Sequence, residues 1–192
     1  MPPKTKYDRE AIIAAALEIA KEKGLEGITA RSVADQLNSS VAPIYVNFET
    51  VEELVEAVVE RVFGLSGEIL AQQKGESLFE NIGKASLAFA REYPVLFREL
   101  TLEPNPHMAS YEDVEQTMID AMAEDEEMKD WTLMERKRLL FKMRVFQTGL
   151  SALVANGHVP SWLDEGEAER MLMEAGEELL LAHQRKREEK QQ

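Results

Sequence analysis

The sequence predicts an all-α protein with a three-helix head over residues 1–50 and a larger helical body over residues 51–192. Three observations carry this. Apolar residues recur at three- and four-residue spacing in nearly every segment, which is the period of a helix buried on one face. No stretch alternates apolar and polar residues as a half-buried strand does. The first fifty residues hold three short helical patterns, each bounded by capping or turn residues.

In order along the chain, helix one spans about Asp8–Lys23, with Ile12, Ile13, Ala16, Leu17, Ile19 and Ala20 as its apolar stripe. Asp8 supplies an N-cap, and Gly24 suits a left-handed residue after the last turn. Helix two, about Ala30–Leu37, starts behind Thr29 as cap and buries Val33, Ala34 and Leu37. Asn38 follows it, a residue that tolerates the left-handed region. Helix three, about Val41–Phe48, is expected to be capped by Ser40 and to bury Ile44, Tyr45 and Phe48. Pro43 falls in its first turn, where a missing N–H has no helical partner to lose.

Helix four, from Val51 to about Gln73, contains Gly64 and Gly67, each worth about 1 kcal/mol against a helix interior. Close packing or a kink is one explanation; a hinge between head and body is the other. The body continues with helices over about 77–93, 94–102, 110–123, 132–156 and 164–190. Glu103-Pro-Asn-Pro-His107 is a loop, Glu124–Glu127 an acidic break, and Gly157–Pro160 a stop.

Composition narrows the function. With 44% hydrophobic residues, 7 Pro and 10 Gly in 192 residues, the chain can bury a sizeable core. No apolar run approaches the roughly 18 residues a membrane helix needs. The start, Met-Pro-Pro-Lys-Thr-Lys, has no apolar core of a signal peptide, so the expected location is cytoplasmic. The absence of cysteine removes disulfides, thiolate zinc sites and thiol catalysis. The net charge is −14, but residues 1–48 hold six basic residues (Lys4, Lys6, Arg9, Lys21, Lys23, Arg31) against six acidic ones. The head is neutral and the rest of the chain carries the full deficit. That pattern is compatible with DNA contact through the head, though phosphate binding is driven by Lys and Arg.

Two short helices joined by a turn of about three to four residues are the pattern of a helix-turn-helix, whose second helix enters a DNA major groove. The arrangement over residues 8–58 resembles the DNA-binding end of tetracycline-repressor-like (TetR family) regulators. The residues that carry it are a first helix ending in Gly24, a helix begun at Thr29, Ser40-x-x-x-Ile44-Tyr45-x-x-Phe48, and Glu52-x-Leu54. The resemblance implies that the start of helix three meets base edges. It also implies that Tyr45 and its neighbours meet phosphates, and that the start of helix two meets the opposite phosphate run. The implied DNA-binding set is Thr29, Arg31, Ser39, Ser40, Val41, Ala42, Pro43, Tyr45 and Asn47. Val41, Ala42 and Pro43 cannot hydrogen-bond bases but can touch thymine methyl groups, which leaves Ser39, Ser40, Asn47 and Arg31 as polar readers. Two features depart from the family pattern. Val51 stands where a phosphate-gripping Lys is usual, and Glu49–Glu53 is acidic. Acids there also suit the positive end of the helix dipole.

In the body, Phe79, Phe89, Tyr93, Phe97, Met108, Tyr111, Met118, Met122 and Phe146 form a Met and aromatic set that reads as core. The resemblance implies an effector pocket among these helices, with Phe89, Tyr93, Met118, Met122 and Phe146 as its expected lining and a mostly apolar small molecule as its occupant. It further implies that the last two helices pair with their copies in a homodimer. Their apolar stripes are Leu139, Leu140, Met143, Phe146, Leu150, Leu153 and Val154 on one, and Ala168, Met171, Leu172, Ala175, Leu179 and Ala182 on the other.

Catalysis has no constellation to rest on. His107, His158 and His183 lack metal-ligand spacing, and there is no phosphate loop or nucleophile elbow. No catalytic residue, metal site or cofactor is expected, and the chain does not read as an enzyme. The sequence reads as a ligand-responsive transcriptional repressor that binds a palindromic double-stranded DNA operator as a homodimer, with no membrane partner. The alternative is an interaction or sensor protein of the same fold with weak or lost DNA binding.

Overall fold

The computed structural model describes residues 7–75, 77–107, 111–126 and 128–191. Among them are nine α-helices and no strand: α1 (Arg9–Lys23), α2 (Ala30–Gln36), α3 (Ala42–Asn47), α4 (Val51–Gln72), α5 (Leu78–Glu92), α6 (Pro94–Phe97), α7 (Tyr111–Glu124), α8 (Leu133–Ala155) and α9 (Glu165–Gln191). A 3-10 turn, Leu25–Gly27, follows α1, and a π-helical segment, Arg98–Leu102, follows α6. The chain forms two compact units. One is Met1–Glu68 with Tyr93–Asn105; the other is Ile69–Glu92 with Pro106–Gln192. The division runs through α4 rather than ahead of it, and it gives α6 and the π-helical segment to the unit that holds the head.

In the first unit, the Asp8 carboxylate accepts from the Ala11 N–H at 2.9 Å and starts α1. Ile12, Ile13, Ala15, Ala16, Leu17, Ile19 and Ala20 are buried, so the expected stripe faces the core. The helix stops at Gly24, whose φ of 76° lies in the region that disfavours side chains. Thr29 and Ser32 form a reciprocal capping box for α2. Asn38 takes φ 50°, as its residue type permits. Ile44 within α3 and Phe48 just after it are buried, as are Ile12 of α1, Val33 of α2 and Leu54 and Val58 of α4. Two expectations for α3 do not hold. Its N-cap is Val41, which offers no side-chain acceptor, so Ser40 is not the cap. Tyr45 is 54% exposed, because a helix of six residues buries one narrow face and Ile44 and Phe48 already occupy it.

The same unit is closed by α6, which packs on α1. Leu96, Phe97 and Leu100 are buried there, and Lys21 Nζ sits 5.3 Å from the centre of the Tyr93 ring. The Glu99 carboxylate accepts the Leu25 N–H at 2.8 Å. A charged acceptor for a turn donor makes a stronger bond than a neutral one.

In the second unit, α5, α8 and α9 pack on one another and α7 packs on α8. Thr132 and Glu135 form the capping box of α8. Met118, Ile119, Met122, Met128, Trp131, Leu139 and Leu140 make one buried cluster. Leu87, Leu150 and Leu172 make another. Gly83 lets α9 approach α5, since a Cβ there would stand 2.8 Å from Leu172 Cδ2. Arg187 closes the far end, pairing with Glu135 at 3.0 Å and donating to the Asp130 carbonyl at 3.0 Å. Of the Met and aromatic set, Met108 and the Tyr111 side chain lie outside the described residues.

Candidate DNA-binding head and effector cavity

With Ile44 and Phe48 turned inward, α3 presents Val41, Tyr45 and Val46 to solvent at 42, 54 and 70% exposure. Thr29, Arg31, Ser40 and Ala42 are exposed beside them, while Ser39, Pro43 and Asn47 are half-buried. Local bonds already engage several polar members. The Thr29 hydroxyl accepts the Ser32 N–H at 3.0 Å. The Ser39 hydroxyl donates to the Ser40 carbonyl at 2.9 Å. Asn47 Nδ2 donates to the Pro43 carbonyl at 2.9 Å. Arg31, Ser40 and Tyr45 are thus the more open polar groups, beside an apolar surface suited to thymine methyls.

Sequence reasoning missed three residues of this head. Val46 is the most exposed apolar side chain of α3, a sign that its face is not core. Tyr7 donates its hydroxyl to the Leu37 carbonyl at 2.6 Å and ties the chain before α1 to the end of α2. Arg9 holds the far end of α3. It donates to the Asn47 carbonyl at 2.9 Å, pairs with Glu53 at 2.9 Å, and lies 4.1 Å from the centre of the Phe48 ring.

This arrangement explains one of the acids at the start of α4. Glu53 also accepts the Glu49 N–H at 2.8 Å. That backbone bond, followed by the Arg9 bond, holds its carboxyl below its ordinary value. Glu53 therefore serves as an internal tie. Glu49 and Glu52 remain exposed, and Val51 is half-buried.

A separate cavity of about 310 Å³ lies within the second unit, walled by α5, α8 and α9. Of the five expected ligand residues, Phe146 lines it. Met118 and Met122 belong to the buried cluster that contains the cavity residue Leu139. Phe89 is buried on α5. Tyr93 belongs to the first unit. Most of the wall comes instead from the start of α5 and from Leu172, Met173, Gly176, Glu177, Leu179 and Leu180 of α9. One face of α8 leaves Met134, Phe141, Val145 and Leu153 exposed. Among the described residues, no helix is long and apolar enough to cross a membrane, and no cluster of three or more His or acidic side chains is placed to hold a metal.

The geometry defines an all-α protein with an N-terminal helix-turn-helix. Residues 12–58 match the family described as bacterial regulatory proteins, tetR family. Over 61 residues the chain is 33% identical to the tetracycline repressor protein class C of Escherichia coli, covering 32% of this chain and 28% of the relative. Over 65 residues it is 34% identical to the uncharacterized HTH-type transcriptional regulator YvkB of Bacillus subtilis, covering 34% of each. The chain thus spans about a third or less of the sequence relatives it matches. Likeness in fold extends further. The structure of SmeT, the repressor of the Stenotrophomonas maltophilia multidrug efflux pump SmeDEF, aligns at a TM-score of 0.65 and 18% identity over 93% of this chain and 91% of that one. A TetR-like transcriptional regulator from Rhodococcus sp. RHA1 aligns at 0.63 and 18% identity over 88% and 93%. Over residues 12–58 the chain carries the domain described for the tetR family, and beyond them its likeness to these regulators is one of fold.

Proposed function

We propose that this chain is a cytoplasmic, ligand-responsive repressor that binds a palindromic DNA operator as a homodimer. The observation that carries the reading is α3. Its inner face is locked by Ile44 and Phe48, and its outer face offers Val41, Tyr45 and Val46, within the stretch that matches the family. Thr29, Arg31, Ser39, Ser40, Ala42, Pro43 and Asn47 complete the proposed DNA surface. Repression follows the role named for SmeT. The exposed apolar face of α8 supports pairing with a second copy, and a two-fold pair of heads reads a two-fold operator. The effector occupies the cavity of the second unit and is mostly apolar. It acts by binding one spacing of the two heads better than the other, since a ligand shifts an equilibrium only by its differential affinity.

Selection from a random duplex library at low salt tests this. The expected product is an inverted repeat with half-sites about one helical turn apart. Its affinity should fall only shallowly with salt, because a neutral head displaces few counterions. Recovery of no enriched motif would support the second reading instead, a same-fold interaction protein, for which Val51 and the exposed Glu49 and Glu52 are the motive.

A further inference from the structure

The cavity of the second unit has an uneven distribution of charge. Its floor and walls are apolar, with Phe79, Leu139, Met143, Phe146, Leu172 and Met173 among them. The polar groups in its lining are Ser77, Gln147 and three carboxylates, Glu80, Asp125 and Glu177; among the described residues no Lys or Arg lines it. Lys84 pairs with Glu80 at 2.6 Å and offsets that charge. Asp125 and Glu177 are exposed, which places them on the solvent side of the lining. An ion pair at such a position is partly screened yet still discriminates by sign.

We propose that this cavity takes an elongated apolar molecule bearing one positive charge, its apolar body against the Met and Phe wall and its cationic end beside Glu177 and Asp125. The inference rests on the reading of the second unit as an effector-binding body and specifies the chemistry of that effector. An anionic head would meet carboxylates with no basic side chain in the lining to pair with. A neutral head would bury the same body without the electrostatic gain. Gly176 marks the wall on α9: a Cβ there would meet Met143 Cε at 3.4 Å, and a larger side chain would project into the space the ligand needs.

Three probes with one alkyl body and different heads separate the possibilities: decyltrimethylammonium, decanol and decanoate, titrated calorimetrically below their aggregation limits. The ammonium probe should bind on the order of tenfold more tightly than decanol, and decanoate should be weakest. Glu177→Gln combined with Asp125→Asn, both at exposed positions, should bring the ammonium-to-alcohol ratio toward one and leave decanol affinity unchanged. Gly176→Phe should abolish binding of all three. Equal affinity for the three heads, tighter decanoate, no binding of any probe, or an ammonium preference untouched by the charge variants would overturn the proposal. So would full ammonium binding by Gly176→Phe, since the site would then lie elsewhere. Operator selection reports separately: an enriched motif without a cation preference leaves the regulator standing and removes only this inference.

Discussion

His183 stacks on Trp131 with ring centroids 4.7 Å apart, joining the end of α9 to the residue before the α8 cap. Burial lowers the His183 pKa from its ordinary 6.5, and Lys142, Arg187 and Lys186 push the same way against Glu135. The sign of the linkage follows. A histidine that resists protonation when folded leaves the unfolded chain holding more protons just below 6.5, so stability falls as pH drops through that window. Urea midpoints should therefore be lower below pH 6.5 than above it, and His183→Phe, which keeps a ring on Trp131, should flatten that step. An unchanged step in the variant would assign it to other groups. At this scale the sequence was legible wherever one residue fixes its own backbone. Asp8, Gly24, Thr29 and Asn38 all do what their chemistry dictates. It was illegible where a partner lies far along the chain. Nothing near Glu99 indicates that it bonds Leu25, and nothing near Arg9 indicates that it bonds Asn47 and Glu53.

At the scale of elements, α4 is the informative case. It runs unbroken through Gly64 and Gly67. A Cβ on Gly67 would meet nothing within 4 Å, and one on Gly64 would meet only the Arg61 guanidinium at 3.2 Å. Close packing therefore does not account for either glycine, which leaves a kink or a hinge. Gly67→Ala removes backbone freedom without introducing a clash. It should raise unfolding free energy by about 0.5–1 kcal/mol in urea titrations. If the glycine serves as a hinge, the same variant should bind operator normally yet respond less to effector. A stabilised variant with an unchanged response would confine Gly67 to a neutral role. In sequence the π-helical segment at Arg98–Leu102 is indistinguishable from the end of a short helix, because periodicity over five residues cannot separate one helical pitch from another. Its place in the fold is nonetheless specific: it holds Glu99 so near α1 that a Cβ on Gly24 would stand 2.9 Å from the carboxylate.

For the whole molecule, charge and apolar surface point to different partners. The net −14 sits outside residues 1–48, so the acidic bulk disfavours a DNA partner and the neutral head is the part of the chain compatible with one. Apolar periodicity found the α8 and α9 stripes but could not say which apolar residues pack within the unit and which face solvent, and it passed over Phe141 and Val145, which lie off the expected α8 stripe. The structure separates them for α8. Leu139, Leu140 and Leu150 are buried within the unit, while Phe141 and Val145 are 64 and 57% exposed. Leu172, on the α9 stripe, is 7% exposed and packs inside the unit, so a charge there would damage the fold and report nothing on assembly. Phe141→Glu is the cleaner probe. In a lone chain it adds a solvated carboxylate at a surface position. In a two-fold interface through α8 it buries two unpaired charges, each costing about 3 kcal/mol or more of association. Light scattering of the wild type should give twice 21.7 kDa, and the variant should approach 21.7 kDa with unchanged helical circular dichroism. Operator affinity should fall with the dimer, because two half-sites on one face of the duplex are held only by linked heads. A variant that stays dimeric would move the interface away from the exposed α8 face. A wild type that is monomeric at micromolar concentration would remove the two-fold pairing, and with it the palindromic operator.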